Sequence, residues 1–176
     1  MDVLIVYGTT EGQTRKIAER TATYICERDH HAELRDSTEP MSNLNLETFH
    51  AFIIAASVHQ QYHQDTATNF VIAHYKLLNA KPSAFISVSL SAVLERAAAQ
   101  GYVDHFVSVT GWQPSMTLLL GGALRFTEYE YFQEQIVKFI VMKDGGAEPG
   151  QSDREFTDWK ALASFVDTFL ERAAHG

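Results

Sequence analysis

The chain has 176 residues, 45% of them hydrophobic and 20% charged, with a formal net charge of −8. This length suits one domain with its own core, and the acidic balance excludes nucleic acid, which needs a basic face, and strong non-specific attachment to anionic lipid. Cys26 is the single cysteine, so no intramolecular disulfide can form, and no apolar run approaches the ~20 residues of a membrane-spanning helix.

In chain order, the first element is a near-continuous apolar run over residues 3–7, the pattern of an interior parallel strand. Asp2 and this immediate strand leave no basic region for a signal peptide, so a cytoplasmic location is expected. Next come Gly8-Thr9-Thr10-Glu11-Gly12-Gln13-Thr14, and then a helix from about Arg15 with Ile17, Thr21, Tyr24 and Ile25 on one face. Cys26, in the same helix, is expected to pack rather than to react. Residues 31–35 alternate polar and apolar, which predicts a half-exposed edge strand.

Apolar runs at 51–56, 84–88 and 116–120 predict three further interior strands. Between them lie helices marked by Ala67, Phe70, Val71, His74, Leu77 and Leu78, and by Leu94, Ala97, Ala98, Tyr102, His105, Phe106 and Val109. The last helix starts at a Thr157-Asp158 cap and carries Trp159, Leu162, Phe165, Val166, Phe169 and Leu170. This alternation predicts one domain over 1–176, an α/β three-layer sandwich. Its five parallel strands run in the order 2-1-3-4-5, with the half-exposed strand 2 at an edge. A helical insertion over about 124–156, after strand 5, exceeds what a connection requires and is expected to be functional.

A strand, a Gly/Thr-rich loop and a helix start form a phosphate site: helix N-terminal amides point at the anion and the dipole favours its charge. Thr9, Thr10 and Thr14 add hydroxyls, and Gly12 lets the backbone approach. No Lys follows the glycine, which excludes the triphosphate loop, and no GxGxxG is present, which argues against a dinucleotide. One compact phosphate monoester fits, and flavin mononucleotide (FMN) is the natural candidate. Glu11 would repel the phosphate if it pointed inward, so its side chain is expected to be exposed and without a chemical role.

Ligands of open α/β sheets bind outside the carboxyl ends of the strands. Three loops converge there. They are the loop of Thr9, Thr10, Glu11, Gly12, Gln13 and Thr14; the loop of Ser57, Val58, His59, Gln60, Gln61, Tyr62 and His63 after strand 3; and Ser89, Leu90, Ser91 and Ala92 after strand 4. His59 and Tyr62 are available for contact with a flavin ring, whereas the third loop offers small residues and free amides but no aromatic. One ring face is therefore expected to be open to a planar substrate. His59 and His63 lack any carboxylate or cysteine at ligand spacing, so no metal is expected.

Residues Thr9 to Thr14 follow the pattern Ser/Thr-x-x-Gly-x-Thr of the flavodoxin phosphate loop. More specifically, the chain resembles the flavodoxin-type, quinone-dependent protoporphyrinogen oxidases of haem biosynthesis. The resemblance is carried by Arg15-Lys16-Ile17-Ala18, Ala55-Ala56-Ser57-Val58, the strand from Lys81-Pro82-Ser83-Ala84-Phe85 to Leu90, Gly122-Ala123-Leu124-Arg125-Phe126 and Thr157-Asp158-Trp159. The segment after Arg125, ending in Gly145-Gly146, resembles that family's long insertion. Flavodoxins are a standing instance of the strand-end rule, so rule and resemblance are not independent. The resemblance implies FMN as cofactor, protoporphyrinogen IX or another planar substrate, a membrane quinone as acceptor, and peripheral contact with the cytoplasmic face of the inner membrane. Arg125 is the candidate contact for a substrate carboxylate. The competing reading is a flavodoxin-like FMN carrier without a small-molecule substrate, which the acidic balance favours.

Overall fold

A computed structural model describes residues 1–124 and 154–175. The chain runs β1 (Asp2–Gly8), α1 (Gln13–Cys26), β2 (His31–Asp36), a short 3-10 turn (Leu46–Thr48), β3 (Ala51–His59), β4 (Tyr62–His63), α2 (Asp65–Ala80), β5 (Ser83–Val88), α3 (Ser91–Leu94), α4 (Arg96–Thr110), β6 (Met116–Leu120), β7 (Ala123–Leu124), β8 (Arg154–Glu155) and α5 (Trp159–His175). The parallel strands lie in the order β2-β1-β3-β5-β6, which is the expected 2-1-3-4-5 once the small β4 is set aside.

Side chains alternate across the sheet and fill two cores. Val3, Ile5 and Tyr7 of β1 face Ile17 and Ile25 of α1 and Leu162, Phe165 and Phe169 of α5. Leu4 and Val6 face the opposite way, toward Phe70, Val71 and Leu78 of α2 and Val103, Phe106 and Trp112 at the α4 end. Burial of each such side chain stabilises the fold by roughly 1.5–3 kcal/mol. Asp158 caps α5 as expected, its Oδ1 accepting from the amides of Lys160 at 3.0 Å and Ala161 at 2.9 Å.

Four local expectations are corrected. Residues 57–63 are not an open loop: β3 extends to His59 and hairpins into β4, pairing Val58 with His63 and His59 with Tyr62. Gln60 and Gln61 form its two-residue turn with φ of 49° and 72°, the left-handed pair that matches strand twist. Residues 91–94 form a short helix rather than a loop end. The buried stripe of α4 is Ala99, Val103, Phe106 and Thr110, so Ala97, Ala98 and Val109 lie off it. Cys26 is exposed at the end of α1 instead of packing.

The chain leaves β6 through Gly121 and Gly122 and returns along an antiparallel pair, Ala123 opposite Glu155 and Leu124 opposite Arg154. The Phe156 amide donates to the Gly122 carbonyl at 3.0 Å, and the Thr157 hydroxyl donates to the Gly121 carbonyl at 2.8 Å. The Gln13 side-chain amide donates to the Thr157 hydroxyl at 2.8 Å, which ties this return to the start of α1. Most of the expected insertion, with Arg125, lies outside the described residues.

Candidate functional site

A cavity of about 770 Å³ opens at the carboxyl ends of β1, β3 and β5. That size is typical of small-molecule sites, ~300–1,000 Å³. A second depression, beside Leu44, Leu46 and the carboxyl-terminal half of α2, lies at the opposite end of the sheet.

The α1 end of the cavity is built for an anion. Gly12 sits at the helix N-cap with φ of 90°, a left-handed conformation suited to glycine, and has no side chain to cap the helix. The amides of the first helical turn therefore have no intrahelical acceptor. No acidic side chain occupies that turn. Within the loop, Thr9 Oγ1 accepts from the Gly12 amide at 2.9 Å, and Thr10 Oγ1 accepts from the Gln64 side chain. Thr14 is 1% exposed, lines the cavity, and its hydroxyl has no hydrogen-bond partner among the described residues. A buried hydroxyl normally finds a partner, because leaving it unmade costs about 1–3 kcal/mol. An orphan hydroxyl beside uncapped amides fits the phosphate of FMN.

The β3–β4 hairpin forms the second wall. Ser57, Val58, His59, Gln60 and Gln61 line the cavity. Tyr62 does not: it is 59% exposed and meets the His105 ring edge-on at 5.3 Å. The alternation of a strand turns Tyr62 outward, since its neighbour His63 turns into the core. His63 Nε2 shares a hydrogen bond with Ser87 Oγ at 2.9 Å, and its ring lies 5.0 Å from Phe85 and 4.9 Å from Phe106. Burial, helped by the nearby His105, pushes the His63 pKa down from 6.5 to about 3. A neutral imidazole thus anchors the hairpin from behind.

The third wall follows β5. Ser89, Leu90 and Ser91 line the cavity; Ala92 does not. The amides expected to be free here are partly used: Ser89 N donates to the Leu120 carbonyl at 3.1 Å and Ala92 N to Ser89 Oγ at 3.1 Å. The wall also has the aromatic that its own loop lacks. Tyr102 reaches it from α4, with Oη 3.4 Å from Ser91 Oγ. Sequence reasoning placed Tyr102 in a core stripe and missed Val88, Glu95, Gly122 and Ala123, which also line the cavity. Only the correct phase of α4 would have found Tyr102. Glu11 is half-buried on the cavity wall rather than turned out to solvent.

A family model described as "Flavodoxin domain" matches residues 4–151. The chain belongs to the flavodoxin family. Among curated flavodoxin-family relatives, it is 30% identical over 169 residues to the Protoporphyrinogen IX dehydrogenase [quinone] of Escherichia coli (strain K12), covering 94% of this chain and 93% of that protein. It is 28% identical over 172 residues to a Leishmania major protein of the same name, covering 94% of this chain and 73% of that one. Among solved structures, oxidised Flavodoxin 2 from Bacillus cereus superposes with a TM-score of 0.62 at 16% identity, covering 98% of this chain and 99% of the other. The last comparison speaks to the fold alone.

Proposed function

We propose that this flavodoxin-family protein binds FMN and oxidises protoporphyrinogen IX, passing the electrons to a membrane quinone in haem biosynthesis. The observation that supports it most is the orphan Thr14 hydroxyl beside the uncapped start of α1. Residues matching the phosphate loop thus supply donors, not a cation, for one phosphate. When bound, the flavin supplies a two-electron acceptor. The chain's part is to hold and orient it. Thr14 and the first-turn amides take the phosphate, with Thr9, Thr10, Glu11, Gly12 and Gln13 shaping that end. Ser57, Val58, His59 and Gln60 of the hairpin, with Ser89, Leu90 and Ser91, bound the ring slot, while Tyr102 closes its α4 side. Arg125 pairs with a substrate carboxylate. The relatives named protoporphyrinogen IX dehydrogenase share most of this chain's length and supply the substrate and acceptor of the reading. No helix among the described residues is long and apolar enough to cross a membrane, and the reading places the contact with the quinone at the surface of the bilayer.

The net charge of −8 favours a second reading, an electron carrier that docks on basic partners. One experiment separates the two. Oxidised holoprotein is mixed anaerobically with protoporphyrinogen IX, first without quinone and then with it. Bleaching of the flavin absorbance followed by its return supports the enzyme. An unbleached spectrum, with reduction by a flavodoxin reductase intact, leaves the carrier.

A further inference from the structure

The cavity's described lining carries two carboxylates, Glu11 and Glu95, and neither Lys nor Arg. Glu95 is the exposed one, at the rim, where α3 ends and α4 begins. Its backbone is held on both sides: its amide donates to the Ser91 carbonyl at 2.8 Å, and its own carbonyl accepts from the Ala99 amide at 3.2 Å. Its carboxylate has no hydrogen bond or ion pair among the described residues, and the backbone bonds fix where on the rim the side chain starts. Tyr102, about two helical turns further along α4, forms an uncharged part of the same wall.

Such a rim sorts porphyrinogens by where their carboxylates lie. Protoporphyrinogen IX carries both propionates on one half of the macrocycle, and its other half has only methyl and vinyl groups. A coproporphyrinogen carries a propionate on every pyrrole, so any orientation brings an anion to the rim. We infer, resting on the porphyrinogen reading above, that Glu95 is a specificity-determining residue: it admits a tetrapyrrole by its carboxylate-free edge and rejects one with a carboxylate on every ring. Like charges a few ångströms apart at a wet rim repel with a strength equivalent to roughly three- to tenfold in affinity, and added salt weakens the effect.

The test uses the FMN-loaded full chain, wild type against Glu95→Gln and Glu95→Lys. Two quantities are measured for the protoporphyrin IX and coproporphyrin III series: kcat/KM with the reduced porphyrinogens, and Kd of the oxidised porphyrins by fluorescence quenching, at low and high salt. The expected result is flavin content unchanged and values for the dicarboxylate nearly constant. Values for the tetracarboxylate improve roughly three- to tenfold in Glu95→Gln and further in Glu95→Lys, and the gain shrinks in high salt. An unchanged ratio between the two porphyrins in both variants overturns the role of Glu95. Should wild type turn over neither porphyrinogen, the proposed reaction fails, and the Kd ratios still decide Glu95.

Discussion

Lowering the pH should remove a defined share of this protein's stability through one residue, His63. The folded protein holds the imidazole neutral, with its pKa pushed from 6.5 to about 3. The unfolded chain titrates near 6.5. Between these values the unfolded state binds the extra proton, so stability rises with pH. The contribution is fully present above about pH 6.5 and is lost as pH falls toward 3. At pH 5, about 1.5 pH units below the unfolded value, the loss is about 2 kcal/mol at ~1.36 kcal/mol per unit. Other groups also titrate, so the comparison is differential. The double variant His63→Leu/Ser87→Ala removes the titrating ring together with its buried partner, leaving no polar orphan. Urea unfolding of the FMN-free proteins at pH 7.5 and 5.0 should show the wild type losing about 2 kcal/mol more than the double variant. Equal losses would refute the account of His63 as a neutral anchor for the hairpin.

Replacing Thr14 with Val should weaken FMN binding by about 1.5–3 kcal/mol, the worth of a hydrogen bond to a charged group. Riboflavin affinity, measured in the same fluorescence titration, should hardly change; an equal loss for both ligands places Thr14 away from the phosphate. Gly12→Val should abolish flavin binding while circular dichroism stays native, because a branched side chain at φ of 90° strains the loop and blocks the approach of the phosphate. Full flavin occupancy in that variant counts against the loop. Gly121→Ala should lower stability by about 1–3 kcal/mol, since the new Cβ would sit 2.5 Å from the Phe156 carbonyl oxygen and 2.6 Å from Val93 Cγ2. A melting temperature equal to wild type's would show that Phe156 and Val93 give way without cost.

Much of the fold was legible because interior parallel strands are apolar on both faces and stand out as runs. The alternation at 31–35 marked β2 as the edge for the same reason. The phosphate end was legible too, since Gly and Thr at those spacings have few other uses. What escaped was set by geometry that periodicity does not carry. The β3–β4 hairpin has Gln-Gln at its turn, where Asn-Gly would announce it, so the strand was ended early and Tyr62 was given the wrong face. A one-residue error in the phase of α4 hid Tyr102 among core residues. Glu95 and Ala123 reach the cavity only because neighbouring elements end beside it, and chain position alone does not reveal that.

The two-rung clasp between Leu124 and Arg154 sets where residues 125–153 depart and rejoin. The ends are held without it: Phe156 and Thr157 bond back to the Gly122 and Gly121 carbonyls, and Gln13 of α1 bonds Thr157. Evolution and the protein engineer are therefore offered a socket. Exchange of the stretch between Leu124 and Arg154 is expected to leave the anion cradle at the start of α1 in place, because the clasp lies between the two.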